Sequence, residues 1–96
     1  MDDFVDFIKS KGYSHVMAAF AEYYEKGILG GFTIQVDPSF RNYEIRLMRN
    51  KTKYFTSVYE YCEGYQYFVE TENDYIETAK NIIKINMEQD IKKDFV

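Results

Sequence analysis

Two alternating runs on either side of an Asp-Pro-Ser turn constrain this chain more than any other feature. Phe32, Ile34 and Val36 alternate with Thr33, Gln35 and Asp37, and Tyr43, Ile45 and Leu47 alternate with Glu44, Arg46 and Met48. A period of two sets one series against a core and the other toward water, the pattern of strands with one covered face. Pro38 fixes φ, and Asp37 can hydrogen-bond its own backbone, so the segment between the runs turns. Lys53 to Cys62 is rich in aromatic and β-branched residues and reads as a third strand after the polar break Asn50-Lys51-Thr52. Glu63-Gly64 has the form of a tight hairpin loop, with Tyr65 to Glu70 returning as a fourth strand. An even-numbered loop at Asn50-Lys51 would place Ile45 and Leu47 on one aliphatic face with Val58 and Val69. Phe55, Tyr59, Tyr61 and Phe68 would then stand on the other face, and an odd register would swap the two.

Helical spacing appears at both ends. Phe4, Phe7, Ile8 and Lys11 follow i, i+3, i+4, i+7, which predicts a short helix over residues 3 to 10 with Asp2 or Asp3 as cap and Gly12 as stop. Val16, Ala19, Phe20 and Tyr23 predict a second helix from about residue 15 to residue 26, capped by Ser14. Thr71, Asn73 or Asp74 would cap a last helix, with Ile76, Ala79, Ile83 and Met87 on one stripe, flanked by Tyr75, Ile82 and Ile91. Ile85 would be exposed, and Lys92 to Val96 would fray. The expected fold is α+β: a four-stranded antiparallel meander with two N-terminal helices and one C-terminal helix, ααββββα, over residues 1–96 as a single domain.

The chain has 96 residues, a net charge of −4 and one cysteine, so no disulfide forms within it. No apolar run is long enough to cross a membrane as a helix. The start Met1-Asp2-Asp3 lacks a basic signal-peptide region, which points to a cytoplasmic location. Charge is unevenly distributed. Tyr54 to Ala79 contains no Lys or Arg in 26 residues, yet holds six acids and six tyrosines. Arg41 to Lys53, just before it, is basic.

Catalytic chemistry finds little support. His15 is the only histidine, in what reads as the first turn of a helix, with no evident partner to activate. Cys62 lies between Glu60 and Glu63, which disfavours a thiolate. No cluster has metal-ligand spacing and no glycine loop cradles phosphate, so no cofactor and no metal is expected. The acid and tyrosine field is the strongest functional signal: Tyr59, Glu60, Tyr61, Glu63, Tyr65, Tyr67, Glu70, Glu72 and Asp74 as a partner-binding surface. Tyr gives contact area at low entropic cost, and unopposed carboxylates steer basic partners. A second reading assigns nucleic-acid binding to Arg46, Arg49, Lys51 and Lys53. A third is self-association, a homodimer formed through a Tyr/Phe sheet face of Phe55, Tyr59 and Phe68.

In size, acidity and Tyr, Ile, Lys and Asn usage, the chain resembles small phage and mobile-element counter-defence proteins of the anti-CRISPR kind, and immunity-type inhibitors. That resemblance is one of composition and attaches to no motif. It implies a non-enzymatic inhibitor that occludes a basic, nucleic-acid-binding surface of a target protein, such as a nuclease or a nucleic-acid-binding complex. For a phage-encoded chain the site of action would be the host cytoplasm.

Overall fold

The fold is α+β with an antiparallel sheet, seen in a computed structural model that describes the backbone of residues 2–94 and the side chains of residues 3–87. Helix α1 (Asp2–Ser10) leads into strands β1 (Ser14–Ala18), β2 (Ala21–Gly27), β3 (Phe32–Pro38), β4 (Asn42–Arg49) and β5 (Thr52–Glu60), and helix α2 (Gln66–Asp94) closes the chain. The strands form one meander in the order β1-β2-β3-β4-β5. Ile91, and the fraying expected of Lys92 to Val96, lie outside the described side chains.

The two alternating runs behave as their period dictates. Ile34 stands opposite Leu47 and Val36 opposite Ile45, all fully buried. Both helices cover this face. Phe4 of α1 stacks on Tyr43 at 4.6 Å between ring centres, and Phe68 of α2 meets Phe4 edge-on at 5.6 Å. Phe4, Ile8, Phe68, Tyr75 and Ala79 fill the core from the helix side. Burying one such aromatic ring stabilises the fold by about 2–3 kcal/mol before entropy is counted. The opposite sheet face, with Thr33, Gln35, Glu44 and Arg46, carries no helix, so the molecule has two layers.

Three expectations are corrected. The segment expected as a second helix is the hairpin β1–β2, which pairs Val16 with Tyr23 and stacks His15 on Tyr24. Its apolar residues fit helical spacing, but as a hairpin they extend the sheet past β3, and tertiary pairing overrides the local preference. Tyr65 to Glu70 is no strand. Gly64 does take the positive φ expected of it (69°), but Tyr65 follows at 51° and the chain turns into α2 rather than back along β5. Helix α2 therefore starts before Thr71, which is buried in its second turn, and the sheet has five strands rather than four.

The third correction concerns faces. The β4–β5 loop is indeed the two residues Asn50-Lys51, both at positive φ (49° and 66°), the geometry of a tight hairpin turn. Yet the register shifts between Leu47 and Met48, where Tyr54 is an extra residue in β5. This bulge reverses everything beyond it. Leu47 faces Phe55, Ile45 faces Ser57 and Tyr43 faces Tyr59, so the aromatic series lies under α2 while Val58 is exposed on the open face.

α2 is pinned at its far end. Gly30, in the turn Leu29–Gly31, has φ 66° and ψ 25°. A Cβ there would lie 2.1 Å from the Ile83 side chain, so only glycine lets the helix approach this closely. Beyond that point Lys84 to Met87 are all exposed, Ile85 at 52% as its position opposite the stripe requires.

Candidate functional site: the acidic flank of helix α2 and the β5 edge

At about 3.6 residues per turn, positions 72, 76 and 83 fall on one flank of α2 and positions 67, 74 and 78 on the other. The first flank faces β1 and β2. Glu72, expected in the exposed acidic field, is instead 4% exposed. Tyr13 Oη donates to its Oε2 at 2.6 Å, and the ammonium groups of Lys11 and Lys26 stand 3.3 Å and 3.7 Å from its two oxygens. A buried carboxylate needs such partners. Burial first, then the bond to Glu72, pushes the Tyr13 hydroxyl well above its ordinary range.

The second flank lies over β5. Tyr67 stacks on Tyr59 with rings 5.5 Å apart and nearly parallel, and Tyr75 stacks on Phe55 at 6.3 Å. Tyr75 Oη shares a 3.0 Å hydrogen bond with Ser57 Oγ, which places this part of α2 above the middle of β5. Glu70 and Asp74 are exposed on this side and the outer surface of the helix, while Glu60 and Glu63 are exposed at the end of β5 and in the turn that follows. Among the described residues no Lys, Arg or His comes within ion-pair distance of these four acids. Glu77, one turn further on, is matched by Lys80 at 3.2 Å.

The tyrosines divide differently from the sequence-based expectation. Tyr59, Tyr61 and Tyr65 are not a solvent-facing row. Tyr61 and Tyr65 pack edge-on against Phe4 at 5.1 Å, and Tyr61 Oη donates to the Ser39 carbonyl at 3.0 Å. Burial raises the Tyr61 and Tyr75 hydroxyls above their ordinary range. Tyr67 stays 43% exposed. The candidate self-association face also fails as first drawn, because Phe68 is wholly buried.

The basic residues are not gathered into one patch. Arg46 sits on the open face beside Glu44 (3.4 Å) and Asp37 (3.9 Å), which offset its charge. Arg49 points to the other face and lies over Phe32 at 4.9 Å. Lys51 and Lys53 are exposed at and beside the turn.

Sequence reasoning missed three features. β5 is an edge strand of nine residues paired on one side alone, with Tyr54, Phe55 and Val58 all at least 40% exposed. Its signal was available: Lys53 and Glu60 are its only charges. The partners of Glu72 had no such signal, since Tyr13 precedes it by 59 positions. His15 does have a partner, Glu22 across the hairpin at 2.6 Å, beside a half-open cleft of about 320 Å³ lined by Val5, Glu22, Tyr24, Asp37 and Pro38. Among the described residues no hydroxyl or thiol is hydrogen-bonded to that imidazole. Likewise no three His, Cys, Asp or Glu side chains converge as a metal site would require, and no helix is long and apolar enough to cross a membrane. Comparison with protein-family models, curated proteins and solved structures finds no match to this chain.

Proposed function

We propose that the protein is a non-enzymatic binding module that docks on a basic surface of another protein. The ridge of Glu60, Glu63, Glu70 and Asp74, with Tyr67 beside it, makes the contact. The observation that carries this reading is the contrast within one helix: Glu72 and Glu77 have cationic partners, while these four exposed acids have none among the described residues. Unpaired surface carboxylates raise encounter rates with cationic partners and are screened by salt. A basic protein surface that holds nucleic acid is the natural complement, so docking there would exclude the nucleic acid. The compositional likeness to anti-CRISPR and immunity-type inhibitors fits this mode of action.

The test is affinity capture from a bacterial lysate on immobilised protein, compared with the triple variant Glu60→Lys/Glu70→Lys/Asp74→Lys. Basic nucleic-acid-binding proteins should be retained by the native chain, released by added nucleic acid or raised salt, and lost in the variant. Retention of the same set by the variant would remove the proposal.

A further inference from the structure

We infer that β5 and the acidic flank of α2 together form a strand-addition site, and that its occupant is an extended basic segment of the partner protein. This rests on the reading of the ridge as a docking surface for a basic protein and names how the partner engages it. The backbone supplies the first half of the argument. β5 hydrogen-bonds to β4 only, leaving its outer row of N–H and C=O groups without a strand. Sheets usually blunt such an edge with a short strand, a proline, inward charges or a bulge. The opposite edge, β1, is short at five residues. β5 runs for six residues past its bulge, Phe55 to Glu60, with no proline and no charge before Glu60.

Side chains supply the second half. A strand laid beside β5 would point alternate residues to the helix side, next to Phe55 and Tyr59 and below Tyr67 and Asp74. Long cationic side chains suit that position, because their stems cover aromatic rings while their heads reach carboxylates. Residues of the other parity would lie beside Val58 and Thr56 on the open face, where β-branched side chains pack well. Main-chain bonds would give affinity and the acidic flank would give selectivity. A second copy fits worse. The Ser57–Tyr75 bond sets Asp74 above the middle of β5, so a two-fold axis there would bring the acidic flank against its own image.

The test is an amide-resolved NMR titration of the full chain with three seven-residue probes. The first is acetyl-Thr-Lys-Val-Lys-Val-Lys-Thr-amide. The second replaces each Lys by Glu. The third is the Lys probe with alternate backbone nitrogens methylated, which keeps charge and removes strand pairing. The Lys probe should shift the amides of Phe55 to Tyr59 and of Asp74, and the other two should bind roughly tenfold or more weakly. Equal binding of the methylated probe would overturn strand addition and leave the acidic ridge standing. Equal binding of the Glu probe would overturn the basic partner and leave a bare edge. β5 shifts that follow protein concentration without any probe would assign the edge to a second copy, and no shift with any probe would end the inference.

Discussion

On the β1 side of α2, Glu72 is sealed from water and held by Tyr13, Lys11 and Lys26, while on the β5 side Glu70 and Asp74 stand in solvent with no cation beside them among the described residues. Same helix, same residue types: position on the helical wheel alone decides which carboxylate becomes structural and which stays free for a partner. A closed flank spends its acids on folding. An open flank keeps them for association.

The largest expected effect breaks the comparison at the closed flank. Glu72→Ala should cost about 3 kcal/mol in urea unfolding, because Tyr13 loses its acceptor and two lysines lose their counter-charge in a buried site. Asp74→Ala should stay within about 0.5 kcal/mol. Equal costs for the two would show that the flanks do not differ. Next comes the anchor of α2. Gly30→Ala should cost about 2 kcal/mol or more, from a positive φ and from the Ile83 contact. Gly31→Ala, also at positive φ but with open space around it, should cost less and so separates backbone strain from crowding.

Tyr43→Phe works in the other direction. The Tyr43 hydroxyl is buried with no hydrogen-bond partner, so its removal should raise stability by about 1 kcal/mol. A loss on that substitution would mean the hydroxyl has a partner such as bound water. The smallest effect is a pH dependence. Burial raises the Tyr13 hydroxyl above the ordinary value of 10.0, so the folded state favours its neutral form. That contribution is complete below about pH 10 and is lost as pH climbs above it, because the unfolded chain then releases the proton first. The Tyr13→Phe variant should lose less stability than the native chain between neutral pH and alkali, measured by denaturant unfolding at each pH.

What could be read in advance follows a physical division. Helix α1, strands β3 and β4, the turn at Asn50-Lys51 and the exposure of Ile85 follow from local periodicity and turn chemistry, and all are present. The segment from Ser14 to Lys26 misleads because Val16, Ala19, Phe20 and Tyr23 satisfy a helical stripe, while the pairing that makes it a hairpin lies partly in β3. Gly64 was read correctly as a left-handed turn residue, but a single such residue serves a hairpin and a helix entry equally well. Of the nine residues expected on the partner-binding surface, Glu60, Glu63, Tyr67, Glu70 and Asp74 are exposed. The placement of Glu72, Tyr61 and Tyr65 depends on Lys11, Lys26 and Phe4, which lie far away in the chain and leave no local trace.

Tyr54 gives this chain an unusual sensitivity to its own length. With that one amino acid cut out, every later side chain of the strand would trade sides: Val58 would go beneath the helices, and the rings at positions 55 and 59 would swing out into water. Substitution at 54 alters a single group, whereas an insertion or deletion there rewrites the whole outer border of the sheet, including the place where a visiting chain would lie.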